Sequence, residues 1–165
     1  GYSEAELIKV LREYGELRNA RRVGAKIIQQ RSEKPIKTTH ELVDVLKGLA
    51  PKQKQNQFLA QVFQAIRIEV NDELNALKDF LNQCTDLIKA GGMLVVISYH
   101  SLEDRLVKRF MKTGNFSGEV EKDFYGNLIR PFTPVKGGLI TPDTDEIEKN
   151  NRARSAKLRI AERNA

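Results

Sequence analysis

Residues 91–110 read GGMLVVISYHSLEDRLVKRF and carry the strongest structural signal in the chain. The apolar run 93–97 follows a glycine pair and contains no polar residue, which predicts a strand buried on both faces, as in a parallel sheet covered by helices. Ser101 then precedes a segment with helical periodicity, so a helix is predicted from there to about Met111. A glycine turn, a buried strand and a helix in this order are typical of an α/β fold.

The sequence upstream of this stretch has the periodicity of helices. Capping boxes that begin at Ser3 and at Thr38 each predict a helix start. A basic helix is predicted over residues 16–30, and residues 57–89 give the longest helical pattern, with a bend near Asn71. The first half of the chain is therefore expected to be all-α.

The last third of the chain has weaker patterns. Residues 116–127 predict a polar loop, 128–135 a strand weakened by two prolines, 142–149 a short acidic helix and 153–161 a final strand. A strand buried on both faces needs neighbours on each side. These come either from the last third or from sequence upstream of the chain, and we expect the chain to be part of a longer protein.

The composition is that of an ordinary globular domain. The chain has 165 residues, of which 40% are hydrophobic and 30% charged, so an intrinsically disordered chain is excluded. The formal net charge of +6 favours an acidic partner such as nucleic acid. The single cysteine, Cys84, permits no internal disulfide, which is expected of a cytoplasmic protein.

Neither a membrane-spanning helix nor a metal site is expected. No apolar run approaches the roughly 20 residues that a membrane-spanning helix requires. One cysteine and two separated histidines, His40 and His100, do not suffice for a zinc cluster, so no metal site is predicted.

Several polar residues lie where the predicted strand ends and the next helix begins. In doubly wound folds, ligands bind at the carboxyl ends of strands, so Tyr99, His100, Glu103 and Asp104 would border a ligand. A structural interpretation stays open. Ser101 and Asp104 resemble a capping box, and first-turn carboxylates complement the helix dipole.

A basic stripe lies near the C-terminus and consists of Arg152, Arg154, Lys157 and Arg159. On a strand over residues 153–161, the first two would share one face and the last two the other. The functional interpretation is contact with RNA phosphates. The structural interpretation is an edge strand whose charges prevent pairing with another chain.

Four segments of the chain resemble the MraW/RsmH family and occur in the family's order. They are EYGELRNARRVGAKII (13–28), FQAIRIEVNDEL (63–74), GGMLVVISYHSLEDRLVKRF (91–110) and NNRARSAKLRIAER (150–163). The last three motifs are highly specific when taken together, and the four matches extend over nearly the whole chain. The pattern departs at Asn151, where the family usually has proline.

The resemblance implies an enzyme that transfers a methyl group from S-adenosylmethionine to N4 of a cytidine in small-subunit ribosomal RNA. Its substrate would be the RNA or the assembling small subunit. The implied fold is a partial Rossmann-like methyltransferase fold. Residues 1–62 would form an all-α inserted domain, and residues 63–165 the last strands and helices of the methyltransferase domain.

The resemblance also assigns roles to residues. His100, Glu103 and Asp104 become candidates to line the target-base pocket, where a hydrogen-bond acceptor would hold the cytosine amino group, and Tyr99 could stack on a base. The family's glycine-rich cofactor loop has no counterpart, because Gly137-Gly138 does not lie between a strand and a helix. No cofactor-binding residue is therefore predicted here, and the chain alone is expected to be inactive.

Two further expectations complete the prediction. A strand left without a neighbour exposes an edge that invites pairing, which predicts a homodimer or a swapped assembly. The alternative function is a non-enzymatic, basic RNA-binding or ribosome-associated helical module. The buried strand and the polar residues that follow it argue against that alternative.

Overall fold

The computed structural model describes residues 1–165 and has mixed helix and strand content. It divides into two compact units, Gly1–Glu73 and Leu74–Ala165. Each unit has its own cluster of buried apolar side chains. The first unit ends at Glu73, and residue 62 lies inside the helix Gln55–Asn71. No helix is both long enough and apolar enough to cross a membrane.

The first unit consists of helices. They are α1 (Glu4–Glu13), α2 (Ala20–Glu33), α3 (Thr39–Leu46), a 3₁₀ turn (Lys52–Lys54) and α4 (Gln55–Asn71). Both predicted capping boxes are confirmed, with Ser3 capping α1 and Thr38 capping α3. Side chains from all four α-helices, including Leu11, Val23 and Leu46, form the core. Amphipathic helices that bury one stripe against each other account for this unit.

The bend predicted near Asn71 is confirmed as a break between two helices. α4 ends at Asn71, Asp72 adopts the left-handed conformation with φ +50°, and α5 (Glu73–Leu87) follows at once. Aspartate tolerates this region better than most residues with a Cβ, so Asp72 alone is enough to end α4.

The second unit packs helices against a three-stranded sheet. After α5 come β1 (Met93–Ser98), α6 (Ser101–Thr113), β2 (Phe132–Ile140), α7 (Thr144–Lys149), a 3₁₀ turn (Asn151–Ser155) and β3 (Lys157–Arg163). The strand order is β1-β3-β2, and both pairs are antiparallel. Leu81 of α5, Phe110 of α6 and Phe132 of β2 are fully buried in its core.

The prediction that β1 is buried on both faces within a parallel sheet is wrong. Leu94 and Ser98 are buried, but Met93, Val95 and Ile97 are more than half exposed. The buried face packs with side chains of α5 and α6. An apolar run that lacks alternation could not reveal this difference between the two faces. β1 pairs only with β3, so its other edge is open.

The last third supplies two strands, and both lie on the same side of β1. The predicted final strand begins too early, because residues 151–155 form a 3₁₀ turn and β3 begins at Lys157. The side chain of Asn150 accepts a hydrogen bond from Arg152 N at 3.2 Å, which favours the turn over an extended chain. β3 is the central strand, so the edge-strand interpretation of its charges is also wrong.

Candidate functional site

The polar residues predicted to border a ligand lie at the junction between β1 and α6. β1 ends at Ser98, Tyr99 and His100 form the connection, and α6 begins at Ser101. The Tyr99 side chain projects into solvent with 58% of its surface exposed. The His100 side chain is only 11% exposed, and Glu103 is partly buried beside it.

The cap of α6 is His100 and not Ser101 as predicted. Glu103 N donates to His100 Nδ1 at 3.4 Å, and Glu103 Oε2 accepts from Tyr99 N at 2.9 Å and from His100 N at 3.4 Å. An imidazole nitrogen thus takes the acceptor role that serine or threonine usually has. The spacing His100–Glu103 carried this signal, but histidine is not among the usual capping residues.

Glu103 is held as an ionised acceptor. Burial acts to raise its pKa, but the adjacent His100 side chain and the hydrogen bonds from Tyr99 N and His100 N outweigh burial, and the pKa is lowered. Its Oε1 lies 3.1 Å from His100 Nε2. That nitrogen is buried and makes no hydrogen bond, so the two atoms are close without being aligned. The carboxylate therefore has one oxygen engaged by the cap and one with acceptor capacity left.

Asp104 points away from this cap and binds the sheet. Arg159 Nε donates to its Oδ1 at 2.6 Å and Arg159 Nη2 donates to its Oδ2 at 3.1 Å, which is a bidentate pair. Lys157 Nζ donates to the same Oδ2 at 3.3 Å. Burial acts to raise the pKa of Asp104, but the Arg159 and Lys157 contacts outweigh it and lower the pKa. The carboxylate thus joins α6 to β3.

The predicted basic stripe separates into two pairs. Arg152 and Arg154 lie in the 3₁₀ turn and are exposed, so the prediction that they share a strand face is wrong. Lys157 and Arg159 do lie on β3, where Asp104 holds both of them. The sequence grouped these four residues because they are close together in the chain. It did not reveal that Asp104, from α6, pairs with only two of them.

The two structural units and this strand–helix junction define a mixed α/β protein with a candidate ligand-binding edge. The chain matches the model of the MraW methylase family over residues 1–164. It belongs to that family, which confirms the prediction made from the four motifs.

Several relatives of the chain carry the same protein name. The chain is 56% identical over 162 residues to ribosomal RNA small subunit methyltransferase H of Flavobacterium johnsoniae, an alignment that covers 98% of the chain and 53% of that relative. The protein of the same name from Cytophaga hutchinsonii is also 56% identical, with 98% and 54% covered. That from Amoebophilus asiaticus is 54% identical, with 99% and 53% covered. The chain spans about half the length of these relatives.

Replacing Asp104 tests the link between α6 and β3. Asp104→Asn should lower the free energy of unfolding by about 2 kcal/mol near neutral pH, because Arg159 loses its charged partner. Since the pKa of Asp104 is lowered by folding, its contribution is present above the ordinary aspartate pKa and is lost as pH falls through the lowered value. The difference between parent and variant should therefore shrink in acid.

Urea denaturation followed by circular dichroism at several pH values measures this difference. The matched control is Asp86→Asn, which changes an exposed aspartate of α5 and should alter the unfolding free energy by less than about 0.5 kcal/mol. Equal midpoints for the two variants at neutral pH would contradict the assignment.

Proposed function

We propose that the chain is part of an enzyme that transfers a methyl group from S-adenosylmethionine to N4 of a cytidine in small-subunit ribosomal RNA. The observation that carries this proposal is the family match over residues 1–164, together with relatives named ribosomal RNA small subunit methyltransferase H. The substrate would be the RNA itself or the assembling small subunit, and the enzyme would act in the cytoplasm.

We propose further that the second unit supplies the last strands and helices of a Rossmann-like domain. Large, mostly parallel sheets often carry an antiparallel strand at one edge, which is compatible with the antiparallel pairs of this unit. The apolar outer face of β1, formed by Met93, Val95 and Ile97, has the composition of a strand covered on both sides. The all-helical first unit would correspond to the inserted domain, which we placed at residues 1–62.

We propose that the strand–helix junctions of this chain do not form a cradle for S-adenosylmethionine. A cofactor that approaches the backbone at a strand–helix junction needs glycine there. The β1–α6 connection consists of Tyr99 and His100, and residues 141–143 between β2 and α7 contain no glycine either. We propose that cofactor binding depends on residues outside this chain, and that the chain alone is inactive.

The target-base pocket is the proposed role of the β1–α6 junction. The cytosine amino nitrogen is a poor nucleophile because its lone pair is delocalised into the ring, so an acceptor that holds its protons would position it. Of the three candidates, Asp104 has both oxygens engaged and His100 Nδ1 is occupied by the cap. Glu103 Oε1 retains acceptor capacity, and Tyr99 is exposed and available to stack on a base.

Contact with RNA phosphates is proposed mainly for Arg152 and Arg154. Both are exposed and lie in a turn, so their guanidinium groups are accessible to the phosphates of a flexible RNA chain. Lys157 and Arg159 were predicted for the same role, but their charge is partly neutralised by Asp104. We expect a smaller contribution from these two residues.

Calorimetric titration of S-adenosylmethionine into the 165-residue chain tests the proposed division of the enzyme. We expect no binding, and no transfer of labelled methyl groups to small-subunit ribosomal RNA by this chain alone. Transfer should appear when the polypeptide also includes the remaining half that the relatives have. One-to-one cofactor binding by this chain would contradict the division, and RNA binding without methylation in the longer polypeptide would favour the non-enzymatic alternative.

Single replacements in the methylating polypeptide test the pocket. Glu103→Ala should lower kcat at least about tenfold, because the amino group loses an acceptor. Tyr99→Ala should mainly raise KM for RNA by removing a stacking surface. Glu148→Ala, which changes an exposed glutamate of α7, is the matched control and should leave both constants unchanged. The pocket proposal fails if His100, Glu103 and Asp104 can each be replaced without loss of rate in folded protein.

We propose that the open edge of β1 leads the isolated chain to self-associate as a homodimer or a swapped assembly. Light scattering should give a mass that rises above the 18.8 kDa monomer with concentration. Val95→Lys places a charge on the exposed face of the edge strand and should lower that mass. A clean monomer of the parent chain at high concentration would contradict this proposal.

A further inference from the structure

A cleft of about 290 Å³ lies within the second unit, between the C-terminal half of α6 and part of β2 and β3. Its position differs from that of the β1–α6 junction. Lys108 lies five residues after Glu103, which corresponds to about 8 Å along the helix axis. None of the residues assigned above to the target-base pocket lines this cleft.

A large bulge in β2 shapes one wall of the cleft. Pro134 pairs with Ala161 and Leu139 pairs with Arg159, so the four residues 135–138 stand opposite the single residue Ile160. A Cβ at Gly138 would lie 2.8 Å from the carbonyl oxygen of Ile160, so only glycine fits there. Bulges of this kind redirect a strand and often occur beside binding sites. Gly137-Gly138, which does not form a cofactor loop, therefore has a structural role in the bulge of β2.

The rim of the cleft is positively charged. Lys108 and Lys112 are exposed and lie one helical turn apart on α6. Arg159 also lines the cleft, and its Nε and Nη2 atoms donate hydrogen bonds to Asp104. No carboxylate is among the lining residues, so the charge of the two lysines is not cancelled within the cleft.

The remaining lining is mainly apolar and includes Met111, Leu139 and Ile160. An apolar surface bordered by ammonium groups suits a ligand that combines a flat or sugar-like face with an anionic group. A nucleotide has this combination. The volume lies just below the roughly 300 Å³ at which small-molecule pockets begin, which fits one nucleotide of a longer RNA better than a complete ligand.

We propose that this cleft binds a nucleotide of single-stranded RNA, with the phosphate held by Lys108 and Lys112 and the base or ribose against Leu139 and Ile160. The inference rests on the proposed function, which makes RNA the substrate. It adds an anchoring site for a nucleotide that neighbours the target base. The phosphate contact gives affinity, and the apolar contact fixes the course of the strand.

Fluorescence anisotropy of a labelled single-stranded RNA, titrated with the 165-residue chain at several salt concentrations, tests the cleft. The variant Lys108→Gln/Lys112→Gln should bind more weakly, with a salt slope smaller by about 0.7 for each phosphate that the protein no longer neutralises. The matched control is Lys89→Gln/Lys149→Gln, which removes two exposed lysines of the same unit that do not line the cleft. It should keep the parent slope.

Leu139→Ala is the second variant. Leu139 is half exposed, so its truncation should leave the fold intact. It should weaken RNA binding while the salt slope stays that of the parent, because no charge is removed. Circular dichroism checks that each variant is folded.

Three results would overturn the cleft proposal. The first is no RNA binding by the parent chain at low salt, and the second is an equal decrease of the salt slope in both lysine double variants. The third is thermal stabilisation by inorganic phosphate that depends on Lys108 and Lys112, while RNA binding does not depend on them. The last result would identify the cleft as a site for free phosphate. The methyl-transfer assay decides the proposed function separately. If methylation fails while the two lysine double variants differ in the salt slope of RNA binding, only the proposed function is contradicted. If methylation succeeds while the two slopes are equal, only the cleft proposal is contradicted.

Discussion

The bidentate ion pair between Asp104 and Arg159 is the interaction on which the second unit depends. A buried carboxylate is tolerated only when it is paired and hydrogen-bonded, and here Arg159 and Lys157 meet that condition. The pair fixes the first turn of α6 against the central strand β3. The rotation of α6 about its axis is then set, and with it the direction of every other side chain on the helix. The same carboxylate partly neutralises the charge of two of the four C-terminal cations, Lys157 and Arg159.

Because α6 is held in this way, it presents different chemistry along its length. Its first turn is closed by the reciprocal cap of His100 and Glu103, next to the exposed ring of Tyr99. Its buried face contributes Val107 and Phe110 to the core. Its C-terminal half carries lysines at the rim of the β2 cleft. One amphipathic helix thus supplies the proposed target-base pocket, the packing that supports it and the proposed nucleotide anchor.

The strands of the sheet differ in how completely they are paired and covered. β3 is paired on both sides, whereas β1 is paired on one side and keeps half of its apolar surface exposed. An open edge beside an apolar face is a costly arrangement in water and a common cause of association. The two proposals about β1 concern its two uncovered surfaces: a Rossmann-like sheet would cover the apolar face, and the open edge would pair copies of the isolated chain.

The sequence by itself determined those features that arise between residues close in the chain. It predicted both helical capping boxes, a bend near Asn71, a strand beginning at Met93 and the family. It did not identify His100 as the cap of α6, because its spacing signal was carried by an unusual residue type. Tertiary structure alone decided the antiparallel order of the sheet, the exposed face of β1 and the partner of Asp104. The physical reason is range: caps and periodicity act within about one helical turn, whereas Asp104 and Arg159 are 55 residues apart and meet only when α6 packs on β3.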